Sequence, residues 1–434
     1  YKWFRGEKTS RNVPKESPAV QEILQILSNE FVPTAPESDE LSFNGLGTFD
    51  RRSDTHLDQE VFHSKSRKVH NWKSPGWDHV FGSTIKHLYT LQEKLFKAFS
   101  EILSGKLTFP HWFVGVKNYY LPKGEDKCRI IGCLPIIHKL FTAQLAEYLY
   151  TDLASNGLLD HHQMGISKGC NGTFRAIQQD EAHKQVNDSV IWADFQKAFD
   201  SVDPKWLISV ISILGVPGNI LNCIKVILNY SHIAEGWCTP TESQTEIRRG
   251  IIQGDSLSPL LFTIALYPLS RALKRVNKRF VWFVDDLKIR GSEMESAIQM
   301  KLLTAYEQCS GIAISFEKTK TLNGPIPSME LAEKDFYKYL GILQRSENNN
   351  VEIRRAASEE FLKRAGNILR SGLRKKDIKK TLNMLAKPVL SYSMLCSDSW
   401  DATSTKDLDK KFRRLLTKFG MHKHSCAPEN VHLP

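Results

Sequence analysis

The spacing of apolar positions changes character along the chain. Residues 1–66 are polar and mixed, with one amphipathic stretch at 19–31 that predicts a helix and a Pro-, Ser- and acid-rich run at 33–40 that reads as a loop. Asn71-Trp72-Lys73-Ser74-Pro75-Gly76-Trp77-Asp78 reads as a turn, and a helical pattern follows over 83–103. The middle of the chain alternates strands and helices. Val190-Ile191-Trp192-Ala193 is an unbroken apolar run, the mark of a buried strand, and it ends at Asp194. Pro204 then occupies the favoured first turn of a helix striped by Trp206, Leu207, Val210, Ile211 and Leu214. Phe280-Val281-Trp282-Phe283-Val284 predicts a strand, Asp285-Asp286 a tight turn, and Leu287-Lys288-Ile289-Arg290 the returning strand. From Val351 onward the pattern is helical, and no internal repeat is visible. Together these elements predict an α+β chain.

Composition narrows the picture. The 434 residues are 25% charged and 10% aromatic, which excludes a disordered chain. The net charge of +11 fits a polyanionic partner, or a generally basic soluble protein. The surplus is uneven: from residue 351 on, Lys and Arg outnumber Asp and Glu by 18 to 9. A basic unit beside a less basic one suggests a clamp on a phosphate backbone. The eight cysteines form no C-x-x-C pair, so neither a zinc knuckle nor a disulfide framework is expected, and reduced thiols inside a cell are. His422, His424 and Cys426 alternate, but a four-ligand zinc set is absent. No apolar run reaches the length of a membrane span and no signal peptide is visible. The start at Tyr1-Lys2-Trp3 reads as a piece of a longer protein.

Candidate chemistry sits at the strand ends. Asp194 closes one strand, and Asp285 and Asp286 form the tip of a hairpin. If those strands are neighbours, three carboxylates meet at one sheet edge and offer hard oxygen ligands to divalent cations. Two such ions suit phosphoryl transfer onto a growing nucleic acid. An Asp-Asp pair is usually a solvated turn, but here both flanks are strongly apolar.

Around these acids the wording becomes specific. Asp194-Phe195-Gln196-Lys197-Ala198-Phe199-Asp200-Ser201-Val202 resembles the first palm motif of reverse transcriptases. Arg249-Gly250-Ile251-Ile252-Gln253-Gly254-Asp255-Ser256-Leu257-Ser258-Pro259-Leu260-Leu261-Phe262 resembles the second, and Phe283-Val284-Asp285-Asp286 the third. Ser310-Gly311-Ile312-Ala313-Ile314-Ser315-Phe316-Glu317-Lys318-Thr319 is similar to the fourth, and Tyr337-Lys338-Tyr339-Leu340-Gly341-Ile342 to the fifth, the primer grip. Upstream, Leu121-Pro122-Lys123 with Arg129, and then Gln163-Met164-Gly165, resemble finger segments. The wording is most similar to non-LTR (LINE-type) retrotransposons, in particular the branch whose elements usually carry a restriction-like endonuclease.

The resemblance implies a right-hand polymerase with α/β fingers and palm, an antiparallel palm sheet backed by helices, and a helical thumb. It implies an N-terminal extension over 1–66, fingers over 67–190, palm over 191–350 and a basic thumb over 351–434. It implies an RNA template, a DNA primer or target DNA, dNTPs, and two Mg²⁺ ions with Mn²⁺ as a substitute. No membrane is implied, the oligomeric state is left open, and the site of action is intracellular and nuclear. By the same resemblance Asp194, Asp285 and Asp286 hold the metals, and Lys318 protonates the leaving pyrophosphate. Lys123 and Arg129 bind the triphosphate, Phe199 excludes a 2′-hydroxyl, and Gln253 and Gly254 line the nucleotide pocket. Tyr339, Leu340 and Gly341 form the primer grip. Lys363, Arg364, Arg370, Arg374, Lys375, Lys376, Lys379 and Lys380 track the duplex, while Leu362, Ile368, Leu369, Leu373, Ile378 and Leu382 pack.

On residue type alone, Phe199 is equally a core ring, Lys123, Arg129 and Lys318 are surface charge, and Gln253-Gly254 is a loop leading to a helix capped near Asp255 or Ser256. The sequence departs from the family at Ile130, where many relatives have Pro, and at Ser315, where Asn is usual. Phe283-Val284 replaces the commoner Tyr-Ala, and the segment between Lys123 and Arg129 is short. A decayed or domesticated element product that binds nucleic acid without polymerising is the alternative from another class, and an RNA-dependent RNA polymerase is a third reading.

Overall fold

A computed structural model describes residues 52–421, apart from 77, 123–127, 169–170, 230–231, 236–243, 247–248, 333–334, 346–349 and 398. The expected helix at 19–31, Lys123, and the His422, His424 and Cys426 group lie outside the described residues. The architecture is α+β, with three sheets among the described residues.

The N-terminal part contains α1 (Gln59–Lys68), α2 (Gly82–His87), α3 (Tyr89–Leu103), β1 (Gly115–Pro122), β2 (Cys128–Cys133), α4 (Ile136–Ser155) and α5 (Gly172–Ala182). The helical pattern over 83–103 is interrupted at Leu88, whose backbone leaves the helical region. Residues 52–66, expected in an N-terminal extension, pack against this part. Phe62 is fully buried, and Arg52 reaches Asp152 on α4 at 2.5 Å.

The central part holds β3 (Ser189–Ala193), α6 (Ala198–Ser201), α7 (Pro204–Ile213), α8 (Gly218–Asn229), β4 (His232–Glu235), β5 (Gln244–Glu246), α9 (Ser258–Val276), β6 (Phe280–Phe283), β7 (Asp286–Gly291), α10 (Glu293–Ser310) and β8 (Lys320–Leu322). Strand β1 pairs antiparallel with β2 and parallel with β4, and β5 completes that mixed sheet. The central sheet has the order β6-β7-β3-β8 and is antiparallel throughout.

Both faces of the central sheet are covered, which is why β3 is apolar at every position after Ser189. Alternation sends Ile191, Ala193, Leu287 and Ile289 into the main core with α9 and α10. Val190 and Trp192 face the other way, against a hairpin of β9 (Tyr337–Tyr339) and β10 (Ile342–Gln344). Helix α10 is begun by a capping box in which Ser292 and Glu295 satisfy each other's backbone donors.

The C-terminal part contains α11 (Asn350–Arg370), α12 (Lys375–Thr381), a π-helical turn at Leu382–Ala386, α13 (Lys387–Cys396) and α14 (Ala402–Lys418). It packs around its own cluster of Phe361, Ala365, Ile368, Leu369, Ile378, Ala386, Leu408 and Leu416. Leu373, expected in that core, is exposed, because α11 stops at Arg370 and the chain turns at Gly372. No described helix is long and apolar enough to cross a membrane.

Candidate active site

The pairing of Ala193 with Leu287 continues to put Asp194 opposite Asp286 at one edge of the central sheet. Asp286 is not in the turn, as expected from the sequence, but opens β7 opposite Phe283, leaving Val284 and Asp285 at the tip. The β6–β7 ladder reaches as far as Phe283, so the pairing captures Asp286.

That tip is strained and braced. Val284 is a β-branched residue with φ 57°, a conformation such residues rarely adopt. The side chain of Gln163, itself buried, holds it from both sides. The Val284 N–H donates to Gln163 Oε1 at 2.7 Å, and Gln163 Nε2 donates to the Val284 carbonyl at 3.1 Å. Gly165 lies so close that a Cβ there would stand 2.7 Å from the Val284 nitrogen. The sequence placed Gln163-Met164-Gly165 in a finger segment without assigning Gln163 a task. Its amide, not its position in the sequence, makes it the brace.

The acids influence one another. Burial, then the charges of Asp285 and Asp194, push the Asp286 carboxyl up to about 6, with Lys318 opposing. The Lys318 ammonium stands 3.2 Å from one Asp194 oxygen and 3.5 Å from the other. The loop before Lys318 is fixed by the Asp194 segment: Ser315 N–H donates to the Asp194 carbonyl, and Gln196 N–H to the Ala313 carbonyl. Among the described residues no three such side chains form a ready-made metal cage. The donor chemistry nevertheless fits a hard divalent cation, because every candidate ligand is a carboxylate, their mutual repulsion is only partly relieved by Lys318, and Asp194 already attracts a cationic head group.

Beside the acids, Phe199 stacks on Phe262 at 5.0 Å, half-buried at the turn after Asp194. Its carbonyl accepts from Ile251 N–H, which fastens the second motif to the first. Gly250 has φ 94°, and a Cβ there would lie 2.8 Å from the Asp200 backbone, so only glycine fits. Gln253 hydrogen-bonds the Asp200 carboxyl, which burial raises above the usual carboxylate range. Gly254 (φ 108°) passes close to the Gly132 carbonyl of β2. The Arg129 backbone pairs with Leu121 in that same β1–β2 ladder, while its side chain lies outside the described atoms. Helix α9 is not capped by Asp255 or Ser256. Its cap position is Leu257, and Asp255 instead accepts a 2.5 Å bond from Thr142 on α4.

The hairpin expected to be the primer grip lies over the acid-bearing face. Tyr337 stacks on Trp192, and the charges of Asp194 and Asp286 add to burial in raising its phenol far above the ordinary range. Tyr339 is buried, while Leu340 and Gly341 turn with φ 46° and 84°. The expected basic residues stand apart on the C-terminal helices. Lys363, Arg364, Arg370, Arg374, Lys375, Lys376, Lys379 and Lys380 are all exposed, and Arg364 and Arg374 are paired locally with Glu360 and Asp377.

With this geometry in view, comparison with known proteins is direct. The family model described as "Reverse transcriptase (RNA-dependent DNA polymerase)" matches residues 121–343, about half the chain. The retrovirus-related Pol polyprotein from a type-2 retrotransposable element of Drosophila melanogaster is 27% identical over 173 residues, covering 38% of this chain and 16% of that protein. The chain thus matches only a small part of that relative's length. The matched span includes every segment that meets at the acidic sheet edge, and the chain belongs to the reverse transcriptase (RNA-dependent DNA polymerase) family.

Proposed function

We propose that the chain is the polymerase core of a non-LTR retrotransposon protein, extending a DNA 3′ end on an RNA template. The observation that carries the reading is the strand register that sets Asp194 opposite Asp286, with Asp285 at the adjoining tip. The likeness to a retrotransposable-element polyprotein supports the non-LTR assignment. In this reading the β1-β2-β4-β5 sheet with its helices is the fingers, the central sheet the palm, and α11–α14 the thumb. Action is in the nucleus, where an element's target DNA lies.

Asp194, Asp285 and Asp286 would hold two Mg²⁺ ions, with Mn²⁺ as a substitute. When bound, the ions activate the primer 3′-hydroxyl and neutralise the triphosphate. Lys318, with its ammonium beside Asp194, supplies a proton to the departing pyrophosphate. Gln253 and Gly254 shape the nucleotide pocket, and Lys123 and Arg129 pair with the phosphates. Phe199, held against Phe262, forms the floor under the sugar and leaves no room for a 2′-hydroxyl.

The deciding experiment is primer extension by purified protein on a primed RNA template, with dNTPs or rNTPs and with or without Mg²⁺. Metal-dependent incorporation of dNTPs alone is the expected result. Template binding without incorporation would instead identify a nucleic-acid-binding protein, and rNTP incorporation would identify an RNA polymerase.

A further inference from the structure

Each strand of the β9–β10 hairpin has three residues. A two-stranded hairpin that short does not hold its own position in water, and a one-residue slip would turn every side chain to the wrong face. Its place over the carboxylates must be set from outside.

Gln344, in β10, enters a buried charged cluster in the palm. Its Oε1 accepts from Lys288 Nζ at 2.6 Å and from Trp192 Nε1 at 3.1 Å, and its Nε2 donates to Asp180 at 3.4 Å. Lys288 and Asp180 are each 2% exposed and 2.5 Å apart. Arg290 closes the other side of Asp180 at 2.7 Å. The Lys288 ammonium also lies 5.3 Å from the ring centres of both Trp192 and Tyr339. A buried ionic cluster is a poor source of stability compared with apolar residues of the same shape, and its best-attested use is to fix register. Here it sits on the strands that carry the acids, with Trp192 two residues before Asp194 and Lys288 two after Asp286. At the hairpin's other end the Leu340 carbonyl accepts a 2.5 Å bond from the Tyr392 hydroxyl on α13.

We infer that Gln344 is a positioning residue that sets the hairpin against the catalytic strands, and that Tyr392 ties the hairpin's turn to the thumb. The pair holds the primer 3′ end at reacting distance from the carboxylates. The inference rests on the polymerase reading. Gln344 acts through the hairpin: a slip of one residue would shift it by roughly 3.3 Å, enough to take a primer end out of attack range.

The test uses the full chain with Gln344→Leu, Gln344→Glu and Tyr392→Phe. Three quantities are measured on a primed RNA template: extension kinetics, primer–template Kd, and fluorescence of a 2-aminopurine at the primer 3′ end. Gln344→Leu is expected to lower kcat by about tenfold to a hundredfold, with Kd and the dNTP KM held within about twofold, and to brighten the terminal fluorophore as it unstacks. Gln344→Glu keeps acceptor oxygens for Lys288 and Trp192 but sets a carboxylate against Asp180, so it recovers kcat only in part. Tyr392→Phe shifts the same readouts in the same direction by less. Wild-type kcat in Gln344→Leu, or a loss of kcat with the fluorophore unchanged, overturns the inference. If Gln344→Leu does not fold, Tyr392→Phe decides on the same readouts. A wild type that extends no primer refutes the polymerase reading itself, whereas an active wild type with indifferent variants refutes only the positioning role.

Discussion

The acidic edge of the central sheet is assembled from segments far apart in the chain, whereas most ion pairs of the basic C-terminal helices join near neighbours. Lys318 meets Asp194 across 124 residues and Gln163 meets Val284 across 121. In the C-terminal part Arg364 pairs with Glu360, Lys411 with Asp407 and Arg413 with Asp409, each one helical turn away. Pairs of that kind, largely open to water, contribute little to stability because solvent screens them. At the sheet edge the tip is fixed by the buried Gln163, and a small displacement there is costly. On the helices the number of charges matters more than where any one of them stands.

Four experiments sharpen or break that contrast, in order of expected effect. Asp285→Ala should reduce primer extension by about a thousandfold or more, the several kcal/mol that metal ligation supplies, while template binding persists. Unchanged extension would end the metal assignment. Gln163→Leu should cost about a hundredfold in kcat by releasing the strained tip, an effect of misplacement alone. If that variant keeps wild-type kcat, the strain at Val284 is incidental.

The third experiment concerns pH. Because the Asp286 carboxyl is raised to about 6, its protonated form favours the folded chain. Without divalent metal, that contribution is present below the ordinary carboxylate range and is lost as pH rises through about 6. Melting temperature in metal-free buffer should therefore decline over that interval. Apparent metal affinity should move oppositely, weakening as pH falls through about 6, because proton and cation compete. A melting curve indifferent to pH there would mean that neither burial nor the neighbouring acids raise the Asp286 carboxyl. The smallest effect belongs to the helices. Neutralising Lys375, Lys376, Lys379 and Lys380 should reduce the slope of log affinity against log salt by roughly 0.9 for each phosphate that those lysines no longer neutralise, with kcat unchanged. An unaltered slope would place that helix away from the nucleic acid.

Much of the acidic edge was legible because its determinants are local. A strand buried on both faces is a continuous apolar run, and an acid at its end cannot be hidden within it, so Asp194 and the Asp285-Asp286 pair stood out. Pro204 announced its helix for an equally local reason, since its ring suits the first turn best. What was not legible depends on partners distant in the chain. Lys288 reads as an ordinary polar strand residue until Asp180, 108 residues earlier, is seen beside it. Gln163 is an ordinary amide until the tip it braces is in place. Asp255 looked like a helix cap because caps are local, yet its hydroxyl donor comes from Thr142, 113 residues away. The basic helices were legible as charge, but not the turn at Gly372 that leaves Leu373 in solvent.

The order β6-β7-β3-β8 has a consequence for the newborn chain. Strand β3 leaves the ribosome first, yet its two neighbours in the sheet, β7 and β8, are both made later. Ala193 pairs with Leu287, so at the usual pace of synthesis β3 waits roughly five to twenty seconds for its first partner. Throughout that interval Val190, Ile191, Trp192 and Ala193, all buried in the finished fold, form a sticky ribbon with both edges open. Sheltering that ribbon during translation would raise the yield of folded protein.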